Sequence, residues 1–338
     1  MLTGKRTWLF KNNPVILSAA AVGGPDEAAG NIAADFDLLH DDMWLEQASF
    51  EKAQTMMMEQ ACDIALKKAN INEKNVNFFV SGDLTNQITP TTFAARTLEI
   101  PYFGLFSACA LTTESLALSA FLINGQGADY VLSGTSSHNS AAERQFRYPT
   151  EYGGQKPPTA QHTVTGAGCV LLAKQGKGPS VTSATIGKVI DMGITDPFNM
   201  GGAMAPAAVD TIVTHLKERN VDASYYDLIV TGDLGKIGHG ISMELLGKQG
   251  IKLNDSNYKD CGMTIYKDDQ QVQAGGSGPA CAAVTTYGHF MKKIFSGKLN
   301  RVLLVATGAL HSPLSMNQND SIPVIAHAVS IENGCEQA

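Results

Sequence analysis

No two cysteines stand in a Cys-x-x-Cys spacing; the six, at 62, 109, 169, 261, 281 and 335, are scattered. This excludes the usual zinc-ligand spacings and a disulfide framework, and it points to a reducing compartment. Basic residues are not in excess. Lys and Arg number 25 against 32 Asp and Glu, a formal charge of −7, and nucleic-acid binding needs a basic field, so no such partner is expected. There is no Walker sequence and no Gly-x-Gly-x-x-Gly after a strand, so nucleotide binding has no support. Nothing resembles an EF-hand loop, and no intrinsic calcium site is expected. No run approaches the roughly 18 uninterrupted apolar residues of a membrane span. The start, "MLTGKRTWLFKNNPVILSAAA", has basic residues before an apolar stretch. Lys11, Asn12, Asn13 and Pro14 break it, which predicts a first β-strand rather than a signal peptide.

What is present is a repeat. The 338 residues, 44% hydrophobic and 17% charged, suffice for two lobes with sizeable cores. "ALKKANINEKNVNFFVSGDL" (Ala65 to Leu84) aligns without a gap on "HLKERNVDASYYDLIVTGDL" (His215 to Leu234), an offset of 150 residues. Each copy reads as an amphipathic helix, a short polar loop and an apolar strand closing on Gly-Asp. Further on, "SACALTT", a helix and "YVLSGTSSH" parallel "PACAAVTT", a helix and "RVLLVATGALH". Strands alternating with helices favour parallel sheets, and two copies imply two lobes about a pseudo-twofold axis. The first lobe is expected over residues 1–174, after "GAGCVLLAK", and the second over 175–338, with "QGKGPS" as the link. The stretch Ala142 to His162 is expected to be a long loop. "TMMMEQACDIALKKA" is expected to be a core-facing helix. "GGAMAPAA" (Gly201 to Ala208) is expected either to let chains or ligands approach closely or only to start a helix.

Duplicated lobes, a cysteine opening a helix in the first, and "TVTGAGCVLL" after a long loop resemble the thiolase fold, with the ketoacyl-acyl-carrier-protein synthase III type nearest. The resemblance implies a five-layered α/β/α/β/α architecture and a homodimer. It also implies that Cys109 stands at the acyl-accepting position, where a helix start would lower a thiol's pKa. In the synthases a histidine and an asparagine of the second lobe stabilise charge. Here "IVTGDLGKIGHG" puts Asp233 at the histidine position, with His239 six residues on, and "QAGGSGPACAA" puts Gly276 at the asparagine position. An ionised aspartate only accepts hydrogen bonds and a glycine has no side-chain donor. Losing one such donor typically costs about a hundredfold to a thousandfold in rate.

At full length, "MLTGKRTWLF", "LTNQITPTTFAARTLEIPYFG" and "PFNMGGAMAPAA" resemble a sporulation family of thiolase fold. That resemblance implies binding and uptake of dipicolinic acid (pyridine-2,6-dicarboxylate) as its calcium salt. It further implies work beside other products of the same operon, some membrane-bound, with this chain peripheral at the inner spore membrane. No cofactor is implied beyond calcium carried with the ligand.

A flat diacid asks for an apolar slot and directed donors. Arg144, ahead of Arg147, is the preferred fork for a carboxylate, against an ordinary surface ion pair. Ser136 and His138, just past a strand, offer a hydroxyl and an imidazole, against simple turn chemistry; His311 is the counterpart in the second lobe. Asp83 and Asp233, at matching strand ends, suit a ligand that brings calcium, or else cap a following turn. Three functions remain open: a non-catalytic binding protein, an acyltransferase or condensing enzyme using Cys109, and a scaffold with no ligand.

Overall fold

The computed structural model describes residues 1–147 and 156–334. The first half contributes β1 (Val15–Gly23), α1 (Phe50–Ala69), β2 (Phe78–Gly82), α2 (Thr89–Leu98), β3 (Tyr102–Gly104), α3 (Leu111–Asn124), β4 (Tyr130–Ser137), α4 (Asn139–Arg147) and β5 (Gly166–Ala173). The second contributes β6 (Ser180–Thr185), α5 (Met200–Arg219), β7 (Leu228–Thr231), α6 (Gly235–Lys248), β8 (Tyr258–Asp260), α7 (Cys261–Ile265), α8 (Pro279–Val284), β9 (Arg301–Ala309) and β10 (Val324–Glu332).

The two halves repeat one topology. The strands run β3-β2-β4-β5-β1 and then β6-β10-β9-β7-β8, joined where β1 meets β6 at Val15 and Ser180. In each half the second strand is parallel to its neighbours on both sides, while the last is antiparallel to its two. The connections carry helices, as parallel pairing requires.

The repeated sequence explains the repeated local geometry. Asn70 and Asn220 each end a twenty-residue helix in the left-handed conformation, at φ 55° and 54°. Their N–H groups close on Leu66 and Lys67, and on Leu216 and Lys217. Asn tolerates this conformation better than most residues, so the same residue stops both helices at the same point.

Burial divides the structure into five layers. Helices α1 and α2 cover one face of the first sheet, with Met57, Met58 and Phe79 fully buried between them. Helices α5 and α6 cover the outer face of the second. Between the sheets lie α3 and α8, whose Leu116, Ala120, Ala280 and Val284 meet Val80 and Val170 on one side and Val302 and Val329 on the other. The middle layer is mostly buried, with α8 wholly so and α3 partly open at Glu114, Leu118, Phe121 and Leu122, and Cys109 stands just ahead of α3.

Two expectations resolve here. The stretch expected to be a loop from Ala142 begins inside α4, because "NSAAERQFR" is rich in helix formers; residues 148–155 lie outside the described part. "GGAMAPAA" starts a helix and also lets two chain segments approach closely. It opens α5, and Gly201 and Gly238 let α5 and α6 touch: a Cβ at Gly238 would lie 2.2 Å from the Gly201 carbonyl oxygen.

Candidate functional site

After β3 the chain turns inward as Ser107-Ala108-Cys109-Ala110, a single 3₁₀ turn ahead of α3. Ala108 is left-handed at φ 52°, which costs an alanine about 1 kcal/mol and is held by the surrounding packing. Part of that packing is Gly308 of β9. A Cβ there would sit 2.2 Å from the Ser107 carbonyl oxygen, so only glycine lets the turn lie against the second lobe.

The Cys109 side chain is buried and faces Asp233. Burial, then the Asp233 charge, push its thiol well above the usual range; the Gly278 N–H and the Ser277 hydroxyl act weakly the other way. This reverses the expectation from the helix start. Burial beside a carboxyl outweighs the helix dipole, so the sulfur is held as a thiol.

Asp233 is itself fully enclosed. Its Oδ2 accepts from the Gly278 N–H at 3.0 Å and the Ser277 hydroxyl at 3.2 Å, and its Oδ1 accepts from the Thr307 hydroxyl at 2.9 Å. The Gly278 contact satisfies an N–H at the start of α8, so Asp233 caps a helix and faces the sulfur at once. Burial pushes its carboxyl up to about 7, with the charge of Asp260 adding to the rise. The Cys109 thiol, Thr307 and Gly278 pull in the other direction. Below it, Gln161 donates from Nε2 to the main-chain oxygens of Asp233 and Gly276, at 2.8 and 2.9 Å, and ties the two segments together. Gly276 pairs with His162 in a short parallel ladder and contributes no side chain.

The other candidates are dispersed. Asp83 is buried and accepts from the Thr85 N–H at 2.8 Å, the Thr91 N–H at 2.9 Å, the Thr91 hydroxyl at 2.6 Å and the Thr85 hydroxyl. Four donors occupy its lone pairs, which suits a cap and leaves none for calcium. Ser136 is buried and its hydroxyl accepts from Gln54 at 3.2 Å. His138 is spent as well. Its Nδ1 accepts from the Ser140 N–H at 3.2 Å, so its Nε2 carries the proton and donates to the Met43 carbonyl at 2.8 Å. Burial pushes its pKa down, which replaces the expected protonated donor with a neutral ring fixed in one tautomer.

Arg144 pairs with Glu51 of α1 on the exposed side of α4; the side chain of Arg147 lies outside the described residues. His239 stacks on Tyr258, with ring centroids 4.6 Å apart, and no hydrogen bond joins it to Cys109. His311 follows β9 and meets Phe146 of α4 at 5.6 Å, so α4 reaches across to the second lobe. Burial lowers the pKa of both histidines, and the Nδ1 of each is buried without a hydrogen-bond partner. Among the described residues no group of three or more His, Cys, Asp or Glu is arranged to hold a metal ion, and no helix is long and apolar enough to cross a membrane.

Sequence reasoning missed Ser277, Thr307, Gln161 and Asp260. Thr307 lies inside the repeated strand "VLLVATGALH", so the repeat was the one signal that could have found it. Asp260 ends β8 and gathers the Leu234 and Gly235 N–H groups, which no local pattern announces.

Known proteins match this arrangement at two distances. The profile of the family described as Stage V sporulation protein AD (SpoVAD) matches residues 4–332. Stage V sporulation protein AD of Bacillus subtilis (strain 168) is 49% identical over 331 residues, 98% of each chain. Among solved structures, 3-oxoacyl-[acyl-carrier-protein] synthase III from Aquifex aeolicus VF5 superposes with a TM-score of 0.59 at 13% identity, covering 95% of this chain and all of that one. Cerulenin-bound OleA of Xanthomonas campestris gives 0.63 at 13% identity, over 96% of this chain and all of that one. At such identity these two speak for the fold alone, which is the thiolase-like fold of condensing enzymes. The profile and the near half-identical relative span almost every residue, and the chain therefore belongs to the stage V sporulation protein AD family.

Proposed function

We propose that this chain is a non-catalytic binding protein for dipicolinic acid, taken as its calcium salt, and that it supports uptake of that acid into the developing spore. The observation that carries the non-catalytic part is Asp233 facing Cys109. A condensing site needs donors aimed at a developing oxyanion and a thiolate to attack with. Here the group opposite the sulfur is an acceptor when ionised, Gly276 offers no side chain, and the sulfur is held as a thiol. Membership of a sporulation family supports the biological setting.

In this reading the rim between the Cys109 turn, α4 and His311 receives the planar ring. Arg144 supplies the cation: an exposed ion pair such as that with Glu51 is worth little, so the guanidinium can exchange it for a ligand carboxylate. The protein acts peripherally at the inner spore membrane beside membrane-bound products of its operon, and as a homodimer. The edge strand β3 favours the homodimer, because Phe103 on it and Phe106 just beyond it are about half exposed, at 46% and 54%.

Calorimetry with sodium dipicolinate, with and without calcium chloride, tests the ligand. Saturable binding is expected, and its absence from folded protein under both conditions removes the reading. Arg144→Ala is expected to weaken binding about tenfold or more, the scale of a charge-assisted hydrogen bond; unchanged affinity removes the arginine. Sedimentation should show a dimer that Phe103→Asp dissociates. The acyltransferase reading draws on the strained turn that presents Cys109. It requires a covalent adduct on Cys109 from an acyl thioester, which mass spectrometry would detect.

A further inference from the structure

Asp233 is a buried carboxyl, and no cation is among the described groups that act on it. The titratable groups facing it come from every element packed around it: Cys109 from the turn before α3, Asp260 at the end of β8, Cys261 on α7 and Cys281 on α8. Each is neutral or negative. The contacts that do favour its charge are the Cys109 thiol, two hydroxyls and one N–H, all of them uncharged. The neighbouring carboxyl is better provided. Asp260 accepts from the N–H groups of Leu234, Gly235 and Met263, at 2.9, 3.0 and 3.2 Å, and from the Thr231 hydroxyl at 2.7 Å. Of the two, Asp233 is the one on which a proton settles.

An organic anion arriving at the sulfur would meet this carboxyl. Two unit charges about 4 Å apart in a setting of this kind oppose binding by roughly a thousandfold. A protonated carboxyl reverses the sign of the contact, because it has an O–H to donate. We propose that the site at the Cys109 turn takes its anionic ligand together with one proton carried by Asp233, so that Asp233 in its acid form is the donor standing where the imidazole and amide of a condensing enzyme would be. The proton adds to the Asp233 carboxylate, forming its O–H bond, and solvent buffer supplies it. The rise of this carboxyl to about 7 keeps that proton within reach at neutral pH. The inference rests on the dicarboxylate reading above and adds a proton-coupled recognition residue to it.

The test is calorimetry of the full chain with sodium dipicolinate in paired buffers of different ionisation enthalpy, between about pH 6 and about pH 8.5. Both ligand carboxylates stay ionised throughout. Expected is net uptake approaching one proton above about pH 7, with affinity falling about tenfold per pH unit there and levelling off below. Asp233→Asn should bind with an affinity that no longer varies with pH and without proton uptake. Wild-type binding without proton uptake overturns the inference and leaves the dicarboxylate reading standing. The same pH dependence in Asp233→Asn also overturns it. No binding by folded wild-type protein at any pH removes the ligand reading, and this inference with it. The buffer comparison needs only the wild-type chain, so a variant that fails to fold does not shelter the proposal.

Discussion

The tripeptide Gly-Asp-Leu starts on the last residue of β2 at 82–84 and recurs just past β7 at 232–234, and the two aspartates lead different lives. Asp83 bends back on its own lobe and caps the turn into α2 through Thr85 and Thr91. Asp233 faces the other lobe and the Cys109 sulfur. The residues that follow make the difference. In the first copy Thr85 and Thr91 supply hydroxyls and N–H groups close by. In the second copy Gly235 stands where Thr85 does, and its N–H and that of Leu234 are taken by Asp260 from the next strand. Relieved of that local task, Asp233 meets the start of α8 instead. A duplicated sequence thus yields one carboxyl that caps its own lobe and one that faces the Cys109 sulfur, and a third carboxyl makes this possible.

The contrast can be broken at its structural end first. Asp83→Ala strands two buried N–H groups and two hydroxyls, so unfolding in urea should show a loss of about 3 kcal/mol. A loss below about 1 kcal/mol would deny Asp83 its capping role.

Next comes the pH dependence of the carboxyl that faces Cys109. Asp233 is raised from 3.8 unfolded to about 7 folded, so the folded state holds the extra proton within that window. Its contribution is full below the lower value and is lost as pH rises through the upper one, with a slope of at most about 1.4 kcal/mol per pH unit. Thermal melts at several pH values should show Asp233→Asn lacking that decline. Parallel curves would place the titration elsewhere.

Cys109 sharpens the comparison chemically. Iodoacetamide at neutral pH should label it more slowly than an ordinary exposed thiol, because burial and Asp233 disfavour the thiolate. Rapid selective labelling would mean an activated nucleophile. The smallest effect on stability is expected from Arg144→Ala, within about 0.5 kcal/mol, since its pair with Glu51 is exposed. A larger loss would make α4 a structural strut.

How far the sequence could be read follows from the range of the forces involved. The helices, their Asn stops and the strands of the repeat were legible because they depend on neighbours a few residues away. Helix α4 was obscured by the prolines and aromatics beyond it, although its own residues favour a helix. The place of Asp233 came through the family resemblance, yet its two roles did not, since Thr307, Ser277 and Gly278 are distant in the chain. His138 misled for the same reason: its partner at Met43 lies 95 positions away.

By itself, the sequence determined a duplicated α/β chain with a cysteine at the head of a buried helix, because hydrophobic periodicity and capping are written locally. Only the tertiary structure decided which carboxyl meets that cysteine and how its charge is borne. Ionisation in a buried site is set by whatever dipoles and charges surround it, and here those arrive from both lobes.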